Sequence, residues 1–178
     1  MGMTTPITIR PAVVGDARAV LDLHVRARST YYRGFISDDE LAEQSRREAA
    51  DYERMIRATD RVVRCAETDR RLVGFLVVGG PHHAEPGVDS ELFQIHVDPA
   101  LFRRGVGTAL HRAAVGTWRE MAAGVVRLWV WEFNERAREF YRRNGWWHDG
   151  SHRPDDPRVE RHRMIGLKLS VPPDTHST

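Results

Sequence analysis

One strand-turn-helix segment, residues 91–114, constrains the fold of this chain more than any other. Its first part alternates as a β-strand does, with Glu91, Phe93, Ile95 and Val97 on one face and Leu92, Gln94 and His96 on the other. Asp98-Pro99 ends the strand, because proline cannot donate to a β-ladder. A helix is then predicted to begin near Gly105, since the residues that follow recur at helical spacing. Its apolar stripe would consist of Leu110, Ala113, Ala114, Thr117, Trp118 and Met121.

The turn between this strand and this helix has the chemistry of an anion-binding site. The first N–H groups of a helix have no intrahelical partner and lie at the positive end of its dipole. Gly105 and Gly107 let the backbone approach a ligand closely, while Arg103 and Arg104 add donors suited to a pyrophosphate. A dinucleotide fingerprint and a Walker loop are both excluded, because Leu110 replaces the third glycine and no Gly-Lys-Ser/Thr follows. An ordinary turn with two solvated arginines is the alternative.

Length and charge exclude several classes of protein. A chain of 178 residues fits one domain, which we expect to span residues 1–170 before a flexible tail at 171–178. The net charge of +2 gives no general basic face for nucleic acid, and no apolar run reaches the length that spans a membrane. The single cysteine, Cys65, is typical of a reducing cytosol. We therefore expect a cytoplasmic protein without nucleic-acid or membrane partners, and both a monomer and a homodimer remain open.

The other segments are predicted to alternate between strands and helices. The predicted strands cover residues 7–11, 61–67, 72–78, 125–131, 146–148 and 159–169. The predicted helices run from an Asp16 N-cap to residue 28, from Ser37 or Asp38 to about residue 58, and from Asn134 to a stop at Asn144-Gly145. Residues 29–35, 79–90 and 151–157 are expected to be connections. This order predicts a mixed α/β fold in three layers, with helices on both faces of one sheet.

Two segments resemble motifs of the GNAT acyltransferase superfamily. Arg103, Arg104, Gly105, Val106, Gly107 and Thr108, after a strand that ends in Asp98-Pro99, are similar to the acyl-CoA loop of that family. The second segment contains the strand at Leu128–Trp131, Asn134, Phe140-Tyr141 and Asn144-Gly145-Trp146, and it is similar to the strand, asparagine, short helix and Gly-Phe of the family. Phe102 replaces the usual Gln or Arg, and Trp146 replaces the usual phenylalanine. The resemblance implies the GNAT fold, a mostly antiparallel mixed sheet that splays between its fourth and fifth strands.

The resemblance also implies acetyl-CoA as co-substrate. The residues that would bind it are Ile95, His96, Val97, Arg103, Arg104, Gly105, Val106, Gly107, Thr108 and Asn134. In the family, the pantetheine lies along the fourth strand and the loop amides hold the pyrophosphate. The asparagine would hydrogen-bond the pantetheine arm, although Asn134 could instead serve only as the N-cap of the short helix.

Two catalytic roles follow from the same resemblance. Tyr141 matches the tyrosine that protonates the CoA thiolate in many members, and a core aromatic is the alternative. Glu91 falls where some members place a glutamate that deprotonates the amine through water, and a solvated glutamate at a loop end is the alternative. His96 is the second candidate base, because imidazole titrates near neutrality. We expect no metal, since His148 and His152 are the nearest pair among nine histidines and no cysteine or carboxylate cluster joins them.

These interpretations predict an acetyl-CoA-dependent N-acetyltransferase. It would transfer the acetyl group to a primary amine of a small molecule or peptide, by direct attack in a ternary complex. The acceptor is expected to enter among residues 29–35, 131–133 and 151–157. Two other classes remain open, namely a catalytically silent acyl-CoA-binding module and a protein-interaction subunit that uses the aromatic surface at residues 29–35.

Overall fold

A computed structural model describes residues 6–33, 37–153 and 163–172 of the chain. Within these ranges the strands are β1 (Thr8–Pro11), β2 (Arg61–Thr68), β3 (Arg71–Gly79), β4 (Ser90–Val97), β5 (Val125–Trp131), β6 (Trp147–Arg153) and β7 (Met164–Ser170). The helices there are α1 (Ala17–Tyr32), α2 (Asp38–Arg57), α3 (Val106–Glu120) and α4 (Glu135–Arg143). Short 3-10 turns occupy Val14–Asp16 and Pro99–Leu101.

The strands hydrogen-bond in the order β1-β2-β3-β4-β5-β7-β6. β4 and β5 run parallel, with Ser90, Glu91 and Leu92 opposite Val126, Arg127 and Leu128. The β1–β2, β5–β7 and β6–β7 pairs are antiparallel. This mixed, mostly antiparallel sheet, with its parallel pair at the fourth and fifth strands, confirms the predicted fold class.

Internal contacts divide the chain into two units, each with its own apolar core. The first unit comprises Met1–Val78 and Gln94–Ala114, and the second comprises Gly79–Phe93 and Val115–Thr178. Fully buried residues of the first unit include Val20, Leu23, Cys65, Val73, Phe75, Leu76 and Leu110. Those of the second include Trp118, Val126 and Leu128. Burial raises the pKa of the Cys65 thiol to about 12, so this cysteine is an inert part of the core.

Local sequence signals account for several element boundaries. A hairpin forms between β2 and β3 through Asp69 and Arg70, which both take positive φ as a two-residue turn requires. The predicted cap of α2 is also present. The Ser37 hydroxyl accepts a hydrogen bond from the Glu40 amide at 3.2 Å, and the Glu40 carboxylate accepts one from the Ser37 amide at 3.0 Å.

The predicted ends of three elements were wrong. α1 continues to Tyr32 rather than ending near residue 28, because Tyr32 is buried and its burial stabilises the additional turn. Met121 does not join the apolar stripe of α3, since the helix ends at Glu120 and Met121 is exposed. β6 extends to Arg153, so the first part of the predicted loop at 151–157 is strand. The rest of that loop, with residues 159–162 of the predicted last strand, lies outside the described residues.

Asp16 precedes α1 as predicted, but its carboxylate does not cap the helix. It accepts hydrogen bonds from the Val13 amide at 2.8 Å and from Arg10 at 2.7 Å. Arg10 lies on β1, so the carboxylate links the first strand to the turn that leads into the helix.

Candidate active site

The turn before α3 presents backbone donors at the surface of the first unit. Arg103 and Gly105 take left-handed conformations, with φ of 62° and 86°. The first bond of the helical pattern is donated by the Ala109 amide to the Gly105 carbonyl, at 2.9 Å. Earlier amides therefore have no helical acceptor. They belong to Val106, Gly107 and Thr108.

This turn has room for a ligand. A Cβ built on Gly105 would meet nothing within 4 Å, so the space in front of the turn is open. Arg103 and Arg104 are exposed beside it, whereas Val106 is 2% exposed and anchors the helix start in the core. Free amides, two cations and open space fit a diphosphate.

Asp98 fixes the chain where it enters the turn. Its amide donates to the Val73 carbonyl at 2.8 Å, and its buried carboxylate accepts from the Ala100 amide at 3.0 Å. The same carboxylate binds Arg71 at 2.9 Å and Arg26 at 3.4 Å. From the sequence, Asp98 was predicted only to end a strand. Its position immediately before Pro99 was the available signal for a cap.

The side chain of His96 lies among polar residues of the first unit. Its ring centroid is 4.5 Å from that of His24. The Tyr52 hydroxyl hydrogen-bonds Nδ1 of His24 and lies 3.3 Å from Oε1 of Gln94. Burial, with a smaller effect from the charge of Arg28, lowers the pKa of His96 to about 3. Such a weakly basic imidazole is a poor proton acceptor at neutral pH, which argues against His96 as the base.

Asn134 caps α4 in the second unit. Its Oδ1 accepts from the Ala137 amide at 3.2 Å, and its own amide donates to the Trp131 carbonyl at 2.9 Å. The capping role is therefore confirmed. Because capping uses the oxygen, the side-chain NH₂ retains its two donors. A hydrogen bond to pantetheine is compatible with the cap and remains a prediction.

Tyr141 is held on the inner face of α4 by the chain reversal that follows the helix. The Trp146 amide donates to the Tyr141 carbonyl and the Gly145 amide to the Arg142 carbonyl, both at 3.1 Å. These two bonds define a Schellman motif, with Gly145 at a φ of 85°. The motif returns the chain so that the Trp146 ring lies 5.7 Å from the Tyr141 ring. Trp146 thus packs on the candidate acid, in the position where the family usually has phenylalanine.

Burial determines the protonation state of Tyr141. The residue is 8% exposed, and burial raises the pKa of its hydroxyl well above the ordinary value. The phenol is therefore protonated throughout the neutral range and can act as a proton donor. It is also a core aromatic, so the alternative predicted for Tyr141 and the acid role are compatible.

Glu91 is buried at the start of β4. It is 5% exposed, and its Oε2 accepts from the His82 amide at 3.0 Å. The alternative of a solvated glutamate at a loop end is therefore wrong. One amide satisfies only part of the capacity of a carboxylate, which leaves the group able to accept a further hydrogen bond. The role of the His82 amide could not be predicted from sequence, because any residue can supply a backbone N–H.

The two units divide the predicted site residues between them. The first unit carries Ile95, His96 and Val97 on β4, together with the turn at residues 103–108. The second carries Glu91, Asn134 and Tyr141.

In the described part of the chain no group of three or more His, Cys, Asp or Glu side chains is arranged to hold a metal ion. No helix in that part is long and apolar enough to cross a bilayer.

Comparison with known proteins identifies the family. A model described as the acetyltransferase (GNAT) family matches residues 23–146, a range that contains both predicted motifs. The chain belongs to the GNAT acetyltransferase family. It is accordingly an acetyl-CoA-dependent acyltransferase, as the sequence analysis predicted. No curated protein sequence matches this GNAT chain significantly.

Solved structures share the GNAT fold. PaiA N-acetyltransferase from Thermoplasma acidophilum, in complex with coenzyme A, has a TM-score of 0.77 at 18% identity, over 93% of this chain and 99% of that chain. The ribosomal-protein-S18-alanine N-acetyltransferase from Escherichia coli has a TM-score of 0.67 at 18% identity, over 97% and 99% of the two chains. Nourseothricin acetyltransferase has a TM-score of 0.57 at 27% identity, over 64% and 67%.

Proposed function

We propose that this GNAT protein transfers the acetyl group of acetyl-CoA to a primary amine of a small molecule or peptide, by direct attack in a ternary complex. The observation that carries the proposal is the open turn before α3. Gly105 has a φ of 86° there, and nothing lies within 4 Å of the position that a Cβ on this residue would occupy. The Thermoplasma acidophilum relative was determined with coenzyme A, which supports the same co-substrate here.

In this proposal the α3 turn holds the diphosphate of acetyl-CoA. The amides of Val106, Gly107 and Thr108 donate to its oxygens, and Arg103 and Arg104 balance its charge. Such bonds from unpaired amides to an anion are stronger than bonds between neutral groups, by a factor of about two. The turn thereby fixes one end of an extended ligand.

The pantetheine and the thioester would follow the backbone of β4. Ile95, His96 and Val97 come after the three residue pairs that β4 shares with β5, and their backbone groups would pair with the pantetheine as an added strand does. A backbone N–H of this segment would donate to the thioester oxygen as negative charge develops there. The NH₂ group of Asn134 would donate to the pantetheine arm.

The transfer itself requires one base and one acid. The neutral amine nitrogen attacks the thioester carbonyl carbon, and collapse of the tetrahedral intermediate breaks the carbon–sulfur bond. Glu91 would take a proton from the amine through water, which generates the neutral nucleophile. Tyr141 would give its phenolic proton to the departing thiolate, since burial keeps the hydroxyl protonated near neutral pH. The proton that the nitrogen loses as the amide forms would restore the phenol, so protons balance.

We also infer that the reaction takes place in the cytoplasm. The single cysteine of the sequence is fully buried and has no partner for an internal disulfide, which is typical of proteins in a reducing compartment.

Release of thiol from acetyl-CoA in the presence of a panel of amines tests the proposal. The panel should contain small polyamines, aminoglycoside-type amines and short peptides with free N-termini. Amine-dependent release of CoA, with the acetylated amine detected by mass spectrometry, would support N-acetyl transfer. Binding of acetyl-CoA without turnover of any amine would instead favour a silent acyl-CoA-binding module. Absence of binding in well-folded protein would favour an interaction subunit.

A further inference from the structure

Four charged side chains form one network in the second unit. Both terminal nitrogens of Arg127, on β5, donate to the Glu85 carboxylate, and Nη2 lies 2.9 Å from its Oε1. Nη2 also donates to the Asp149 carboxylate, on β6, at 2.7 Å. Lys168 of β7 binds Glu85 at 2.9 Å and Asp149 at 3.2 Å. Each carboxylate therefore bridges the same two cations. Only Glu85 comes from a loop, the segment between β3 and β4.

This network differs from the surface ion pairs elsewhere in the described residues. The side chains of Arg127 and Asp149 are each 9% exposed, and that of Lys168 is 20% exposed. Burial by itself would raise the pKa of Asp149, but hydrogen bonds from Ser151 and the two cations lower it below its ordinary value. The Asp149 carboxyl is thus ionised at neutral pH, and loss of any one member of the network would leave each of its two partners with a single counter-charge.

The network lies directly beside the candidate base. Glu91 and Arg127 are paired neighbours in the parallel register of β4 and β5. Adjacent strands lie about 4.8 Å apart, so a carboxylate and a guanidinium at paired positions attract each other. Here the guanidinium of Arg127 is bound by Glu85 and Asp149 instead, while the Glu91 carboxylate accepts from the His82 amide at 3.0 Å.

The loop between β3 and β4 connects these two features. It contains His82, whose amide binds Glu91, and Glu85, which anchors the same loop to the cations on β5 and β7. Only two residues separate His82 from Glu85, so the anchor limits the movement of the amide. The Glu85 carboxylate therefore anchors the loop and also pairs with Arg127.

We propose that Glu85 is a positioning residue for Glu91. It keeps Arg127 from pairing with the base, and it fixes the His82 amide that orients the base. This inference rests on the proposed acetyl transfer, in which Glu91 deprotonates the amine. Without the Glu85 charge, the Arg127 guanidinium retains only Asp149 and can turn toward its neighbour on β4.

A double-mutant cycle tests this proposal in the GNAT enzyme. Glu85→Gln should lower kcat on the order of tenfold, because a small misplacement of a catalytic group has effects of this size. KM for acetyl-CoA should change by less than about twofold, since the α3 turn is untouched. In a Glu91→Gln background the same substitution should change kcat by less than about twofold. Glu139→Gln is the matched control, because it removes an exposed carboxylate that pairs with Arg142 and Arg143.

Two outcomes of the cycle would overturn the proposal. One is an equal effect of Glu85→Gln with and without Glu91, since a purely structural role would lower both enzymes alike. The other is a Glu85→Gln enzyme as fast as the wild type. If Glu85→Gln does not fold, Lys168→Met removes one of the two cations that hold the same carboxylate, and the same cycle with Glu91→Gln applies.

Amide hydrogen exchange provides a test that does not depend on turnover. The His82 amide should exchange at least about tenfold faster in Glu85→Gln than in the wild type, because the loop loses its anchor. Glu139→Gln should leave that rate unchanged. An unchanged rate in Glu85→Gln would overturn the link between Glu85 and His82. A wild-type protein that acetylates no amine would instead contradict the proposed function, and the exchange rate would still decide the loop anchor.

Discussion

Substitution of Gly74 by alanine tests whether tight packing in the first unit positions β4 and the start of α3, where acetyl-CoA is proposed to bind. A Cβ at this position of β3 would lie 2.9 Å from Cδ1 of Leu110, 3.0 Å from Cγ1 of Val106 and 3.0 Å from the His96 carbonyl oxygen. Carbon atoms in good contact are about 3.5–4.0 Å apart. Each carbon neighbour would therefore have to move by about half an ångström or more. The strand β3 thus approaches both β4 and the start of α3 at a point where only glycine fits.

The expected cost follows from which atoms must move. Leu110 and Val106 are almost completely buried, and the third neighbour is backbone. None of them can swing into solvent. Overpacking of a well-packed core destabilises by about 1–3 kcal/mol, and we expect Gly74→Ala to fall in this range. The displaced groups include the His96 carbonyl on β4 and the first residue of α3, so acetyl-CoA affinity should fall by about tenfold as well.

Urea unfolding and titration calorimetry with acetyl-CoA measure the two effects. Gly116→Ala is the matched control, because a Cβ at Gly116 of α3 meets nothing within 4 Å. Alanine in a helix interior is favoured over glycine by about 0.5–1 kcal/mol, so the control should be neutral or stabilising with unchanged affinity. A Gly74→Ala protein as stable and as tight-binding as the wild type would refute the packing argument.

Three other predictions concern the acid, the turn and the pH dependence of stability. Tyr141→Phe should lower kcat by about 10²–10⁴-fold with acetyl-CoA affinity nearly unchanged, and an unaltered kcat in steady-state assays would exclude it as the acid. Gly105→Val should weaken acetyl-CoA binding by calorimetry, whereas Gly87→Val, which introduces a side chain at a similarly positive φ of 78°, should not; equal losses would indicate general strain. Burial lowers the pKa of His111 from 6.5 to about 4, so its contribution to stability is complete above about pH 6.5 and is lost as pH falls toward 4. Urea unfolding between pH 7 and pH 4 should therefore show a shallower decline for His111→Leu, and parallel curves would contradict this assignment.

Local sequence signals were sufficient for the elements that carry the proposed site. Alternation in residues 91–97 and the proline after Asp98 located β4, and the glycines located the start of α3 within one residue. The Asn134 cap and the Gly145 stop are backbone requirements that particular residue types satisfy, so they are visible in the sequence. These signals hold because each depends on residues only a few positions apart.

Contacts between distant residues could not be predicted in this way. Glu85 meets Arg127 and Lys168 across 42 and 83 residues, and no local pattern marks such a pair. The end of α1 was misplaced for the same reason, because Tyr32 continues the helix through its burial in the fold and not through its helix propensity. Glu91 was equally ambiguous until the His82 amide was known to bind it.

The most direct test of the account compares two thioester ligands by calorimetry, acetyl-CoA and S-acetylpantetheine. The second ligand lacks the diphosphate but keeps the arm that would lie along β4. If the free amides at the start of α3 hold the diphosphate, acetyl-CoA should bind at least about 100-fold more tightly, which corresponds to one or two charge-assisted hydrogen bonds. Equal affinity of the two ligands for the folded protein would contradict the account.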